Sequence, residues 1–505
     1  MTLVRLVYLP GEPAINSLCP KSALLEGVGQ LCEAGFQTDL QHLGEVRSHG
    51  EALISETPRV ALTPAEAVSG LPAAALTVFY AESRGDYEQV RKASLLLAKY
   101  HPETTQLLAG PFAVHFATCA LADLPVLDGA ISDHLSATLP QAALYLLGGQ
   151  KRPDSGDLSF QENGGKAVWK RRAAFTTLSP FVSRRRCEKN NLLQYYPLSF
   201  SEGPCAFFYQ DKKCSQRGSK SAALLFNEIK WLHESHDATV FHIDIQHVAS
   251  EEVEELAQRL LDHNLMILYS LGNATQSFSR TTARLLLASG CRSIGFRIPT
   301  GSQRLLEDFY GMQVSISAMQ SVLRLCRDTG LQTVLHLTGP CPIDDIHSTA
   351  ETVRFLEDAH PHSVTLSPLA VVPHSLWFCQ PRRFGLSFSY KHYQKQMDPF
   401  RLPLTLAGKW NRYRLAFVNK VIQDYAFKAG LLFNADERSM LLLRLLGIEG
   451  VSDSSRFLQH LSRLLESNDA AGLSDVIQKF NHRATVAVSR DAAAMPHFGQ
   501  VAISR

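Results

Sequence analysis

Short apolar runs alternate with amphipathic segments along most of the chain. Val4 to Leu9 is one such run, broken by Pro10-Gly11-Glu12-Pro13; apolar positions then recur at helical spacing (Leu24, Leu25, Val28, Leu31, Cys32) as far as Gly35. The same alternation predicts strands over 75–80, 106–109 and 128–132, with helices over 87–100 and 135–147. Alternation of this kind implies a parallel sheet with helices on both faces. Ligands of such sheets sit at the carboxyl ends of the strands.

The rhythm resumes from Leu198. Strands are expected over 240–244, 265–269, 293–298, 332–337 and 363–368. Helices are expected over 250–263, capped by Ser250, and over 281–289, 316–329 and 343–359. Repeated strand–helix units of this length build a barrel or a partial barrel. Beyond 380 the pattern changes. Residues 384–400 are aromatic and basic, and 393–422 and 435–480 read as helical with dense leucines. Core packing is the default reading of those leucine stripes, and partner recognition the other. From Arg490 onward no period is evident.

At 505 residues the chain needs more than one core. A net charge of +2 argues against a dedicated nucleic-acid binder. The N-terminus lacks the apolar core of a signal peptide, and no apolar run reaches the roughly 18 residues of a membrane span. Ten scattered cysteines suit reduced thiols, so the expected location is cytoplasmic. The basic clusters Lys166, Lys170-Arg171-Arg172 and Arg184-Arg185-Arg186 read as a solvated connector, with an anion- or peptide-binding patch as the alternative.

The stretch LSFSEGPCAFFYQDKKCSQRGSKSAALLFNEIKWL (198–232) resembles the cluster loop of radical S-adenosylmethionine (SAM) enzymes. In that family CxxxCxxC supplies three thiolates to a [4Fe–4S] cluster and leaves one iron open for SAM. Cys205 occupies the first position, but Tyr209 and Lys212 stand at the second and third. An ammonium cannot replace a thiolate. Other segments resemble the family in order. VFHIDIQHV retains Asp244 of an acidic strand motif. IPTGSQ matches a Gly-Ile-Glu-Ser-Gly-Ser strand at Ile298, Thr300, Gly301, Ser302 and Gln303, with Pro299 replacing the glutamate. HLTGPCPIDDIHSTAETVRFL resembles the turn that enters the next helix, and Val372-Pro373-His374-Ser375 stands where Pro-Gly-Thr is usual. In the first 150 residues Ala34-Gly35-Phe36, AGPFAVHF and DGAISDHLSATL follow the layout of a cobalamin-binding domain.

The resemblance is thus to the cobalamin-binding radical SAM family. It implies a Rossmann-like domain of cobalamin-binding type (1–150), a linker (151–195), a partial (β/α)6 barrel (196–380) and a helical C-terminal region (381–505). It further implies corrin-facing loops at Gly11, Glu12, Tyr80, Ser83, Gly110 and Pro111. Asp244 and Ser302 would lie beside SAM, and Cys205 and Cys214 are the metal candidates. With Cys187 they could form an irregular three-thiolate set. The rival reading of each loop is a plain turn, and of Asp244 a helix cap. His336, His347, His360, His362, His374 and Asp344-Asp345 match no ligand spacing. Two functions follow. One is a degenerate cobalamin-dependent radical SAM homologue, acting as a methyltransferase or other modifying enzyme on a small molecule or peptide in a specialised biosynthetic pathway. The other is a silent scaffold for a partner enzyme or peptide.

Overall fold

The computed structural model describes residues 2–11, 19, 21–42, 64–69, 73–131, 135–148, 158–160, 193–200, 220–246, 248–275, 277–371, 375–388, 397, 412–467 and 469–494. Two parallel sheets carry the chain. The first holds β1 (Leu3–Tyr8), β2 (Gln37–His42), β3 (Leu76–Tyr80), β4 (Thr105–Ala109), β5 (Gly129–Ile131) and β6 (Leu158–Phe160), in the order β2-β1-β3-β4-β5-β6. Only β6 runs antiparallel. Helices α1 (Ser22–Glu33), α2 (Pro64–Ser69), α3 (Arg84–Tyr100), α4 (Pro111–Asp123) and α5 (Leu135–Gly148) connect the strands. The strand order reverses between β1 and β3, which makes their carboxyl ends the switch point where open α/β sheets bind ligands.

The second sheet is the expected partial barrel. Its strands are β7 (Tyr195–Ser199), β8 (Val240–Asp244), β9 (Leu268–Ala274), β10 (Cys291–Arg297), β11 (Gln332–Gly339), β12 (Ser363–Pro368) and β13 (Leu432–Phe433), paired in chain order and all parallel. Between them run α6 (Ala222–His236), α7 (Ser250–Asp262), α8 (Arg280–Ala288), α9 (Gln303–Asp308), α10 (Ile316–Asp328), α11 (Ile346–Ala359), α12 (Leu376–Cys379) and α13 (Arg412–Lys428). The C-terminal helices are α14 (Glu437–Leu446), α15 (Val451–Glu466) and α16 (Ala470–Ala494). Among the described residues none of the helices is long and apolar enough to cross a membrane.

Several details depart from expectation for physical reasons. Ser250 does not cap α7. Ala249 holds that position without a side-chain bond, while the Ser250 hydroxyl donates to the Ser277 carbonyl. Helix α4 was not foreseen because its apolar residues are spread around it. It begins at Pro111 and buries Phe112, Ala113, Phe116, Ala117, Ala120 and Leu121. The C-terminal leucines do pack as core: Leu441, Leu442, Leu461, Leu464 and Leu465 are buried with Leu193, Tyr195 and Phe480.

The two sheets share one continuous buried cluster, in which Leu24, Leu25 and Val28 of α1 join Tyr196, Leu198 and Ala222 around β7 and α6. At that seam Lys220 is buried and its Nζ lies 2.8 Å from Glu228 and 3.7 Å from Glu26 of α1. An isolated buried ammonium would be costly, and two carboxylates offset that cost.

Candidate functional site

The switch point of the first sheet gathers most of the loop residues named above. Tyr8 and Tyr80 end β1 and β3, edge to face at 6.2 Å. Lys21 lies 4.8 Å over the Tyr8 ring and pairs with Glu82 at 2.7 Å. Asp86 fastens the loops: its carboxylate accepts the amides of Gly11 (2.7 Å), Glu82 (2.9 Å) and Ser83 (3.1 Å). Burial raises its pKa against those hydrogen bonds. Ser83 is the N-cap of α3, in a capping box with Asp86.

Two glycines are required here. A Cβ on Gly11 would sit 1.8 Å from the Gly85 carbonyl carbon, and Gly110, at φ +97°, would place one 2.5 Å from the Ala81 oxygen. Pro111 follows as the first residue of α4. Gly11, Tyr80, Ser83, Gly110 and Pro111 therefore share one edge, held by close backbone packing. Glu12 lies outside the described residues. Cys19, after this loop, is buried; burial pushes its thiol up to about 11, and the charges of Arg438 and Asp436 act on it. The switch point thus adjoins the start of α14.

At the carboxyl ends of the barrel strands Asp244 accepts the Gln246 amide (2.9 Å) and the Asn273 side-chain amide (2.7 Å). Asn273 in turn accepts from Arg297 Nε at 2.8 Å. Burial raises the Asp244 pKa, and the Gln246 hydrogen bond and the Arg297 charge oppose it. Asp244 caps none of the described helices; its carboxylate is committed to a local turn and to Asn273. Ser302 precedes α9, fully buried, and its hydroxyl has no hydrogen-bond partner.

The barrel lumen holds a group that the sequence reading missed. Glu437, the first residue of α14, reaches between β9 and β10, where a Cβ on Gly272 would lie 2.8 Å, and one on Gly295 2.3 Å, from its carboxylate oxygens. His336 Nε2 stands 2.7 Å from Glu437 Oε2 and His242 Nε2 3.7 Å from Oε1. His336 Nδ1 bonds Thr365 Oγ1 at 2.7 Å, and His242 Nδ1 bonds Ser270 Oγ at 2.9 Å. Burial alone would push the Glu437 carboxyl up. The imidazoles outweigh that and hold it well below the usual carboxylate range. Burial pushes His242 down to about 3, with Arg438 adding to the effect. A signal was present in the sequence: two buried strands, VFHID and VLHLT, each carry one histidine among apolar residues.

The other candidate histidines go elsewhere. His362 bonds Thr333, His360 closes α11, and Asp345 caps it. His374 lies outside the described residues, as do Cys187, Cys205, Cys214 and the basic clusters of 166–186. Among the described residues no group of three His, Cys, Asp or Glu could hold a metal. The thiols of Cys291 and Cys326 are buried and held in the protonated form, the latter pushed up to about 12. The donor set at 205, 209 and 212 (one thiol, one phenol, one ammonium) does not fit a three-thiolate iron–sulfur cluster.

A switch-point sheet followed by an open parallel barrel is the fold of cobalamin-dependent radical SAM enzymes. The radical SAM methyltransferase TsrM from Kitasatospora setae, solved with cobalamin and a [4Fe–4S] cluster, aligns over 92% of this chain and 100% of its own, with a TM-score of 0.67 and 14% identity. The same enzyme with tryptophan and a SAM analogue aligns over 74% of each chain, at a TM-score of 0.61 and 14% identity. The cobalamin-dependent SAM radical enzyme OxsB with aqua-cobalamin bound aligns over 98% of this chain and 84% of its own, at 0.60 and 11%. No protein-family model and no curated protein matches the sequence.

Proposed function

We propose that the chain is a cobalamin-binding group-transfer protein of the radical SAM superfamily that works without an iron–sulfur cluster. Its most direct activity would be methyl transfer to a small molecule or peptide. The observation that carries this reading is the alignment of 92% of this chain with the whole length of a cobalamin-bound methyltransferase. The convergence of Gly11, Tyr80, Ser83, Gly110 and Pro111 on one edge supports it. These residues, with Glu12, would hold the corrin, a ligand bound by shape and backbone groups from several loops. When bound, cobalamin supplies a cobalt that carries a methyl group between a donor and a nucleophile. The chain's part is to fix the loops through Asp86 and to set that edge beside the start of α14.

Missing thiolates argue against reductive cleavage of SAM, and the engagement of Asp244 with Gln246 and Asn273 leaves little of it for a ribose hydroxyl. The same missing thiolates favour the second reading, a scaffold that binds a partner enzyme or peptide. The discriminating experiment is purification from cobalamin-supplemented cells. A corrin spectrum that is lost in Asp86→Ala supports the first reading; a colourless protein that brings down a second polypeptide supports the other.

A further inference from the structure

Beyond cofactor chemistry, we propose that Glu437, His336 and Thr365 form a hydroxyl-activating triad in the barrel, with Thr365 as nucleophile toward an activated acyl or phosphoryl ester. The geometry is that of a nucleophile within reach of a base, itself oriented by a third group. Thr365 Oγ1 and His336 Nδ1 are 2.7 Å apart, and His336 Nε2 and Glu437 Oε2 are 2.7 Å apart. Proton accounting fixes the direction. An ionised Glu437 can only accept, so in the neutral imidazole that serves as base the one ring proton sits on Nε2. Nδ1 is then the acceptor, and the Thr365 hydroxyl donates to it.

The carboxylate is rigidly placed. The Ser293 hydroxyl donates to the Glu437 backbone oxygen at 2.8 Å, and Gly272 and Gly295 leave its oxygens against strand backbone. Exposure rises outward along the triad, from 7% for the Glu437 side chain to 18% for His336, and Thr365 is also partly exposed. The opposite arm is sealed: Ser270, bonded to both His242 and Tyr195, is fully buried. Of the two arms, only the Thr365 end is partly exposed.

In the step, the Thr365 oxygen bonds the electrophilic carbon or phosphorus, and its proton passes to His336 Nδ1. The bond to the leaving group breaks, and that group departs with its electron pair and takes up the proton. Glu437 stabilises the imidazolium in between. None of this requires a metal.

A fluorophosphonate probe tests it on the full chain as purified. The Oγ–P bond forms, the P–F bond breaks and fluoride leaves, so peptide mapping should find one phosphonyl group on Thr365. The rate should fall about 100-fold in His336→Gln, the low end of the range for losing a general base. Thr365→Ser should keep the label, whereas Thr365→Val should lose it while its melting temperature falls by only the few °C expected for one lost hydrogen bond. No label on the wild type, a label on another residue, or undiminished labelling of His336→Gln would each overturn the triad.

Discussion

The buried carboxylate of Glu437 makes a strong claim about stability. In Glu437→Ala the partner of His336 disappears and a void opens between Gly272 and Gly295. Truncation removes a hydrogen bond to a charged group, about 1.5–3 kcal/mol, and adds the cost of the cavity, so the loss should be roughly 3–5 kcal/mol in all. At about 2–4 °C per kcal/mol, the barrel transition should fall by roughly 6–20 °C. Glu437→Gln keeps the volume and one acceptor, so its loss should be smaller, about 1.5–3 kcal/mol for a hydrogen bond to a charged group.

The pH dependence follows from the same pairing. The folded pKa of Glu437 lies below its unfolded value near 4.5. Its contribution is therefore fully present above that value and is lost as pH falls below it. Urea titrations of wild type and Glu437→Gln from pH 7 to pH 3 would read this directly. Parallel stability curves below pH 4.5, or an Ala variant within 1 kcal/mol of wild type, would refute the reasoning.

Three other outcomes are expected. Buried neutral His242, at about 3 when folded against 6.5 when unfolded, makes stability fall by about 1.4 kcal/mol for each pH unit below 6.5; His242→Gln should flatten that slope, and an unchanged slope would contradict the assignment. Asp86→Ala leaves the amides of Gly11, Glu82 and Ser83 without their acceptor, at a cost of about 1–3 kcal/mol. Hydrogen exchange at those three amides should accelerate, and unaltered protection would show that something else fixes the loops. Gly110→Ala forces a Cβ to 2.5 Å from the Ala81 oxygen, so it should destabilise the first sheet rather than merely narrow its edge; an unshifted melting temperature would count against that packing.

Most of the architecture was legible in the sequence because both sheets are parallel and buried, so their strands read as short apolar runs between amphipathic helices. The strands at Val240–Asp244 and Ser363–Pro368 coincide with expectation to the residue. Helix α4 was illegible because it is apolar on more than one side, and Leu432–Phe433 because a strand of two residues carries no period. At the site, the loop glycines were recognisable from their turns, but not their fastening by Asp86, which lies 75 residues from Gly11. The Glu437–His336 pair spans 101 residues and joins a helix start to a mid-strand position. Its members bear no sequence relation to one another, and only folding brings them together.

The most direct measurement is anaerobic purification from cobalamin-supplemented cells, followed by a visible spectrum and iron, sulfide and cobalt analysis of the wild type and of a Cys205→Ala, Cys214→Ala double variant. The account predicts near-stoichiometric cobalt with corrin bands, no iron, and identical values for the variant. Four irons per chain, lost in the variant, would restore radical chemistry through unconventional ligands and contradict the central claim, and a colourless, cobalt-free protein would contradict it from the other side.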